Sequence, residues 1–386
     1  MEISKNIFYI GANDERIELF EGQYYVPNGM SYNSYLIKDK KNVLLDTVDK
    51  AVTEIWIKKL EEKLGGEDLD YLIISHMEPD HAYNIGLVAK KYPNMKIIGN
   101  INTFNMLNRF FDIDLTERKI IVKEGDTFDT GSHTLQFFMA PMVHWPEVMF
   151  TYVCEEKILF TADAFGKFGI VKENDEWLDE ARRFYIGIVG KYGMQVQNVL
   201  KKAANLEINT ICPLHGPVLT QNIDYYIEKY IKWSSYDPEE EGTLIACSSI
   251  HGNTLNAAKY LEELLKEQNE RVELIDLTKD EISQAVSEAF KYSKLIIASS
   301  SYNAGLFPPM EHFLNKLKER NFQKRTVAII ENGTWAPSSG KVMKSIVQEM
   351  KDIDLVEPII TIESTMKDKT KTDLQNLAKI ITKNVE

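Results

Sequence analysis

The sequence contains no run of about 18 or more apolar residues, so no segment of it can cross a bilayer as a helix. Cysteine is scarce. Cys154, Cys212 and Cys247 are the only three, widely spaced and odd in number. That excludes a disulfide framework, a CxxC redox pair and a four-cysteine metal site. All three fall in apolar, strand-like segments and are expected to be buried structural thiols. No GxGxxG follows a strand-like segment, which removes support for a nicotinamide dinucleotide site. There is no low-complexity tract and no internal repeat. Basic residues are also short: 45 Lys and Arg stand against 58 Asp and Glu, for a net charge of −13. This balance is poor for binding nucleic acid or an anionic membrane. The opening residues MEISKNIFYIGANDER lack the long apolar core and small-residue cleavage site of a secretion signal. The expected location is the cytoplasm.

What is present is enough for two domains of ordinary size: 386 residues, 44% of them hydrophobic. The first part mixes strands and helices. Strand-like runs cover residues 31–38, 42–47, 71–76, 96–99, 119–123, 133–141, 148–155 and 157–163. Helical spacing covers 52–64, with Ile55, Leu60 and Leu64 on one side, and also 185–206 and 223–233. Many strands with helices between them predict two packed sheets with helices outside. The charged, proline-opened stretch Asp237-Pro-Glu-Glu-Glu-Gly242 breaks the pattern, and the expected domains are 1–240 and 241–386. Beyond it, strands at 244–248, 272–277, 295–299, 326–330 and 358–362 alternate with helices at 254–268, 281–292, 309–320, 339–350 and 369–384. Five strands alternating with five helices predict a doubly wound parallel sheet.

Potential metal ligands gather in the first half. The run His76-Met77-Glu78-Pro79-Asp80-His81 places four of them in six residues after a strand. Residues 76, 78 and 80 point to one side if the loop stays extended, and Pro79 biases Glu78 that way. Three later segments also end or are followed by such a residue: His144 after the 133–141 run, Asp163 after Ile158-Leu-Phe-Thr-Ala, and His215 after Thr210-Ile-Cys-Pro-Leu. A single His or Asp after a strand is usually a cap, a turn or a surface residue. The full series is what argues for one site, since strand ends on one rim converge. His133 and His312 lack this setting and are expected to be structural or exposed.

In the second half, Ser249-Ile-His-Gly-Asn-Thr254 joins a strand to a helix and offers hydroxyls and amides to an anion at the helix N-terminus. Two further loops follow strands: Ser299-Ser-Ser-Tyr-Asn-Ala-Gly305 and Glu331-Asn-Gly-Thr-Trp335. All lie at strand C-terminal ends, where ligands bind in such sheets. Tyr302 and Trp335 offer aromatic faces to a planar ring.

The first cluster resembles the metallo-β-lactamase superfamily loop H-x-H-x-D-H, with Glu78 where the hydrolases carry His. A carboxylate there adds charge and a hard oxygen donor, which favours iron over zinc. With that substitution, and with His144-Trp-Pro-Glu-Val-Met-Phe after it, the chain resembles the flavodiiron proteins, or A-type flavoproteins, over essentially its whole length. The resemblance implies a metallo-β-lactamase-like αββα sandwich followed by a flavodoxin-like domain with a five-stranded parallel sheet. It implies one iron on His76, Glu78 and His144, a second on Asp80, His81 and His215, and Asp163 as the bridge.

The same resemblance implies that FMN phosphate sits on Ser249, His251, Gly252, Asn253 and Thr254. The ring and ribityl chain then contact Ser301, Tyr302, Asn303, Gly305, Asn332, Gly333 and Trp335. His251 departs from the Tyr or Trp frequent in that loop, and the third loop continues Ala336-Pro337-Ser-Ser instead of a Gly- and Ser-rich run. The implied activity is reduction of O2 to water, of NO to N2O, or both. No rubredoxin-like segment follows Glu386, so the expected electron donor is a separate rubredoxin or similar small redox protein. A head-to-tail homodimer, or a dimer of dimers, is implied by the family alone. The rival readings are a zinc hydrolase with a flavodoxin-like appendage and a non-catalytic electron carrier or gas sensor. Glu78, the flavin loops and the complete ligand set speak against them.

Overall fold

The computed structural model describes residues 1–172 and 176–383, and its chain divides into two compact units, Met1–Ile231 and Lys232–Glu386. Among the described residues no helix is long and apolar enough to cross a membrane.

The first unit is built on two sheets. One has seven strands, in the order Glu2–Ser4, Ile7–Tyr9, Tyr35–Ile37, Val43–Leu45, Tyr71–Ile73, Lys96–Gly99 and Lys119–Ile121. Its first four strands are antiparallel and the rest join in parallel. The other runs Thr127–Asp129, Thr134–Met139, Met149–Val153, Ile158–Phe160 and Thr210–Cys212. The sheets meet through aromatic edges: Tyr35 against Phe160 at 5.0 Å and Tyr71 against Phe128 at 4.7 Å between ring centres. Helices cover the outside, as expected. The helix Thr53–Leu64 buries Trp56, Leu60 and Leu64 into a core that also holds Leu44, Leu72 and Ile97. The expected face was one position out: Ile55 is 53% exposed. Positions 56, 60 and 64 keep the four-residue spacing that stacks side chains along one stripe, whereas 55 to 60 does not.

Strand direction in the second sheet positions the site. Thr134–Met139 and Ile158–Phe160 are each antiparallel to Met149–Val153, so they run the same way, and Thr210–Cys212 is parallel to Ile158–Phe160. Their C-terminal ends therefore share one rim, which releases His144, Asp163 and His215.

In the second unit, Val272–Asp276, Glu240–Ser248, Tyr292–Tyr302, Arg325–Asn332 and Ile353–Leu355 lie side by side, all parallel. This is the 2-1-3-4-5 order of a flavodoxin-like sheet. The last strand is broken. Ile353–Leu355 pairs with the start of Arg325–Asn332 and Ile360–Ile362 with its end, so the expected strand at 358–362 is only half of it. The helices Asn253–Glu267, Ile282–Lys291, Pro308–Glu319, Ser339–Gln348 and Asp368–Lys383 match the expected alternation. Asn384, the last residue of the expected final helix, lies outside the described residues. Cys212 and Cys247 are buried thiols, while Cys154 is only half-buried.

Candidate metal and flavin sites

The loop after Tyr71–Ile73 does not stay extended. Glu78 is extended, at φ −60° and ψ 140°, and Pro79–Ala82 then forms a single helical turn with proline at its start. Proline fits there because the first helical amides have no partner within the helix. The change of conformation splits the four candidate ligands. His76 and Glu78 gather with His144 and Asp163, and Asp80 and His81 gather with His215.

In the first group, Glu78 Oε2 lies 3.1 Å from Nε2 of both His76 and His144, and His144 Nε2 lies 3.1 Å from Asp163 Oδ2. In the second, Nε2 of His81 and Nε2 of His215 face each other at 3.1 Å, with Asp80 Oδ2 3.4 Å and 3.3 Å from them. The two groups join at Asp163, whose Oδ1 is 3.1 Å from His81 Nε2 while Oδ2 faces His144. All seven expected residues thus stand around one buried space.

The surroundings fix the rings. His76 Nδ1–H donates to Glu147 Oε1 at 2.8 Å, and His215 Nδ1–H donates to the Ser31 carbonyl at 2.8 Å. A proton held on Nδ1 leaves Nε2 as the coordinating nitrogen. Asp46 accepts from the backbone amides of Ser75 and His76 at 2.7 and 3.3 Å. Asp46 stands inside an apolar segment with no ligand-like spacing and was not expected at the site; Glu147 lies in the run His144-Trp-Pro-Glu-Val-Met-Phe, but nothing in that run assigns it a role. Asp46, Met142 and Ala162, close in sequence to or in contact with the ligand segments, lie in the left-handed region at φ 53°, 64° and 48°. For Met142 and Ala162 this backbone costs about 1–2 kcal/mol each, while an Asp such as Asp46 adopts it more readily.

The charges are interdependent. Burial alone would lower the His144 imidazole, but Asp163 and Glu78 lift it to about 9. Burial works in the same direction on His76, and Glu147 and Glu78 raise it well above its usual value. Burial would raise the carboxyls of Glu78 and Asp163, yet the facing imidazoles hold both below the ordinary range. Burial pushes the Asp46 carboxyl up to about 6, against the lowering effect of Ser75. Both buried oxygens of Asp80 accept no hydrogen bond. Orphaned carboxylate oxygens beside two converging imidazole nitrogens fit a pair of metal cations, and four imidazoles with three carboxylates fit iron.

The second unit holds a cavity of about 510 Å³ at the C-terminal ends of its strands. Ten of the twelve expected flavin residues line it: Ser249, His251, Asn253, Thr254, Ser301, Tyr302, Asn303, Asn332, Gly333 and Trp335. Gly252 and Gly305 are not among the lining residues. Gly252, at φ 87°, is instead the N-cap of Asn253–Glu267 and donates its amide to Ser249 Oγ. Thr254 Oγ1 pairs with Ser300 Oγ at 2.9 Å and accepts from Asn332 Nδ2 at 3.3 Å. A fourth loop, not expected, contributes Ser364, whose amide donates to Asn332 Oδ1. Trp335 is 91% exposed, so its ring is open to a ligand and not a packing residue. An open aromatic face, a helix N-terminus and a ring of hydroxyls fit a flavin phosphate and its ring.

Comparison with known proteins agrees with both halves. Residues 30–216 match the model of the ODP family beta lactamase, and residues 244–380 that of a flavodoxin domain. An uncharacterised protein of Methanocaldococcus jannaschii is 33% identical over 81% of this chain and 80% of its own length. The chain belongs to the flavodiiron family. The anaerobic nitric oxide reductase flavorubredoxin of Salmonella paratyphi B is 27% identical over 86% of this chain and 72% of its own. The rubredoxin oxygen:oxidoreductase of Desulfovibrio gigas shares the fold: the TM-score is 0.91 at 24% identity, over 100% of this chain and 98% of that one. Flavodiiron proteins are oxidoreductases, and their cofactors are FMN and a non-haem diiron centre.

Proposed function

We propose that this flavodiiron protein reduces O2 to water, NO to N2O, or both, using electrons that a separate rubredoxin-like protein passes through FMN. The observation that carries this is the placement of Asp163, one oxygen toward each cluster of ligands. On this reading His76, Glu78 and His144 would hold one iron and Asp80, His81 and His215 the other, with Asp163 shared between them. When bound, the irons supply a place for the diatomic and the flavin supplies electrons to it.

The chain's own residues do the rest. Pro79 turns the backbone so that neighbouring ligands serve different metals. Glu147 and Ser31 hold His76 and His215 in one tautomer. The buried walls keep bulk water from the site. In the second unit, the amides and hydroxyls around Ser249, His251, Gly252, Asn253 and Thr254 receive the phosphate. Ser301, Tyr302, Asn303, Asn332, Gly333 and Trp335 line the space for the ring and ribityl chain, and Gly305, outside that lining, pairs with Tyr302 across the turn of its loop. Three cysteines without a bridge fit a reducing, cytoplasmic setting. A head-to-tail homodimer, which brings the flavin of one subunit to the irons of the next, completes the proposal.

Protein expressed in iron-replete medium is expected to carry about two irons and one flavin per chain. After anaerobic reduction it is expected to consume O2 or NO without releasing hydrogen peroxide. Zinc as the sole metal, or peroxide as the main product, would sink the reading.

A further inference from the structure

Four histidines face the metal space, and among the described residues only His76 is backed by a carboxylate. His215 leans on a neutral carbonyl, that of Ser31, and the buried Nδ1 of His81 has no hydrogen-bond partner. Glu147, by contrast, is 0% exposed, and its Oε1 accepts both His76 Nδ1–H and the Met77 amide at 2.8 Å. Its backbone is held as firmly. Asn100 Nδ2 donates to the Glu147 carbonyl at 2.6 Å while its own Oδ1 caps the helix Ile101–Phe110. Two residues on, the Met149 amide donates to the Ser75 carbonyl at 3.1 Å. A rigid scaffold therefore aims one carboxylate at the back of one ligand.

That carboxylate is costly as it stands. Glu147 Oε2 is buried and accepts no hydrogen bond. Burying an incompletely paired carboxylate costs free energy unless a positive charge lies near. The nearest place for one is the far side of the imidazole that Glu147 already binds. A carboxylate behind a ligating histidine orients the ring and makes its other nitrogen a stronger donor.

We propose that Glu147 is a positioning residue that makes the two metal positions unequal, strengthening the one formed by His76, Glu78 and His144 through the His76 ring. This rests on the two-metal reading above. Glu147 touches no reacting atom. It fixes the ring and lends it electron density, so the first position holds its metal more tightly than the ring alone would allow.

The test is chelator competition on full-length protein loaded anaerobically with Fe(II), and separately with Co(II). Glu147→Gln keeps an oxygen that can accept both hydrogen bonds but removes the charge. It is expected to release one of its two metals at a chelator concentration about 10- to 100-fold below that of the unsubstituted protein. The second metal is expected to leave at the usual concentration. Two metals released together, or both held as before, would overturn the proposal. A merely structural role would lower the melting temperature of the metal-free protein without separating the two metals. Should the Gln variant not fold, Glu147→Asp draws the charge back from Nδ1 and carries the same expectation and the same overturning results. An unsubstituted protein that takes up fewer than two metals per chain would instead refute the two-metal reading, whatever the variants do.

Discussion

Nε2 of His81 lies 3.1 Å from Oδ1 of Asp163, the oxygen turned away from His144. One short side chain thus serves two clusters, and its charge sits where two cations would repel each other most. Asp163→Asn keeps the volume, removes the charge and turns an amide NH2 toward one side. Metal content is expected to fall from two per chain to one or none, with FMN content unchanged because the flavin residues lie in the other unit. Elemental analysis and the flavin absorbance of one preparation read both. Two metals retained in the variant would show that Asp163 is not the bridge.

Much of this site was legible in the sequence because its ligands end strands, and strand ends are among the better-marked places in a chain. The expected ligands are all present at one space. What the sequence hid was the turn at Pro79. Alternation places residues 76, 78 and 80 together only in an extended chain, and the helical turn Pro79–Ala82 reassigns Asp80 to the His81 cluster. The role of Glu147 was hidden because a buried acid inside an apolar run carries no spacing signal, although the run His144-Trp-Pro-Glu-Val-Met-Phe contains it. Ser364 was hidden because its loop follows a strand broken in two, half of it at Ile353–Leu355. The outward turn of Ile55 was a matter of phase, since the apolar residues of that helix allow two stripes one position apart.

The metal-free and metal-loaded proteins are expected to respond to pH in opposite ways. In the metal-free fold, burial lowers the His144 imidazole but Asp163 and Glu78 raise it to about 9, above the ordinary value of 6.5. The folded state then binds a proton that the unfolded chain releases first. This contribution to stability is fully present below pH 6.5 and is lost as pH rises through about 9. Glu78 and Asp163, held below the ordinary carboxylate range, contribute stability that is constant across that window. A metal must displace the His144 proton, so the stabilisation that metal adds grows over the same interval. Melting temperatures with and without metal, at steps from pH 6 to pH 9.5, are expected to diverge as pH rises. A constant difference would show that no proton is displaced.

Trp335 separates flavin binding from folding. At 91% exposure it contributes little to packing. Trp335→Ala is expected to change the stability of the flavin-free protein by less than about 0.5 kcal/mol. Loss of one aromatic stacking partner is worth roughly 1 kcal/mol, so FMN affinity is expected to fall by about 3- to 10-fold. Denaturant unfolding of flavin-free protein and fluorescence titration with FMN measure the two effects separately. An unchanged affinity would remove Trp335 from the ring site.

Gly166 provides a counterpart to Glu147 on the other side of the metal space. A Cβ at this position would lie 2.9 Å from the Asp163 carbonyl oxygen, 3.3 Å from His215 Cβ and 3.4 Å from the His215 carbonyl oxygen. Two of those neighbours are backbone atoms and the third is the root of a ligand side chain, so none can swing aside as the end of a flexible chain would. The Gly166 amide also donates to the Asp163 carbonyl at 3.0 Å, which ties the two residues at close range. In Gly166→Ala the extra methyl must push Asp163 and His215 apart, at a cost of about 1–3 kcal/mol for overpacking. His215 belongs to the cluster with Asp80 and His81, whereas the three atoms nearest this position include none of His76, which rests on Glu147. The variant is therefore expected to lose the metal of the Asp80, His81 and His215 cluster first and to keep the metal at His76. Chelator competition gives only the order of loss. X-ray absorption cannot tell which metal remains, since each assigned set holds two imidazoles and one carboxylate beside the shared Asp163; anomalous diffraction from protein depleted to one metal, which locates that metal directly, is the deciding measurement. Density at His81 and His215 in depleted Gly166→Ala protein, with none at His76, would overturn the assignment of Gly166 to that half of the site.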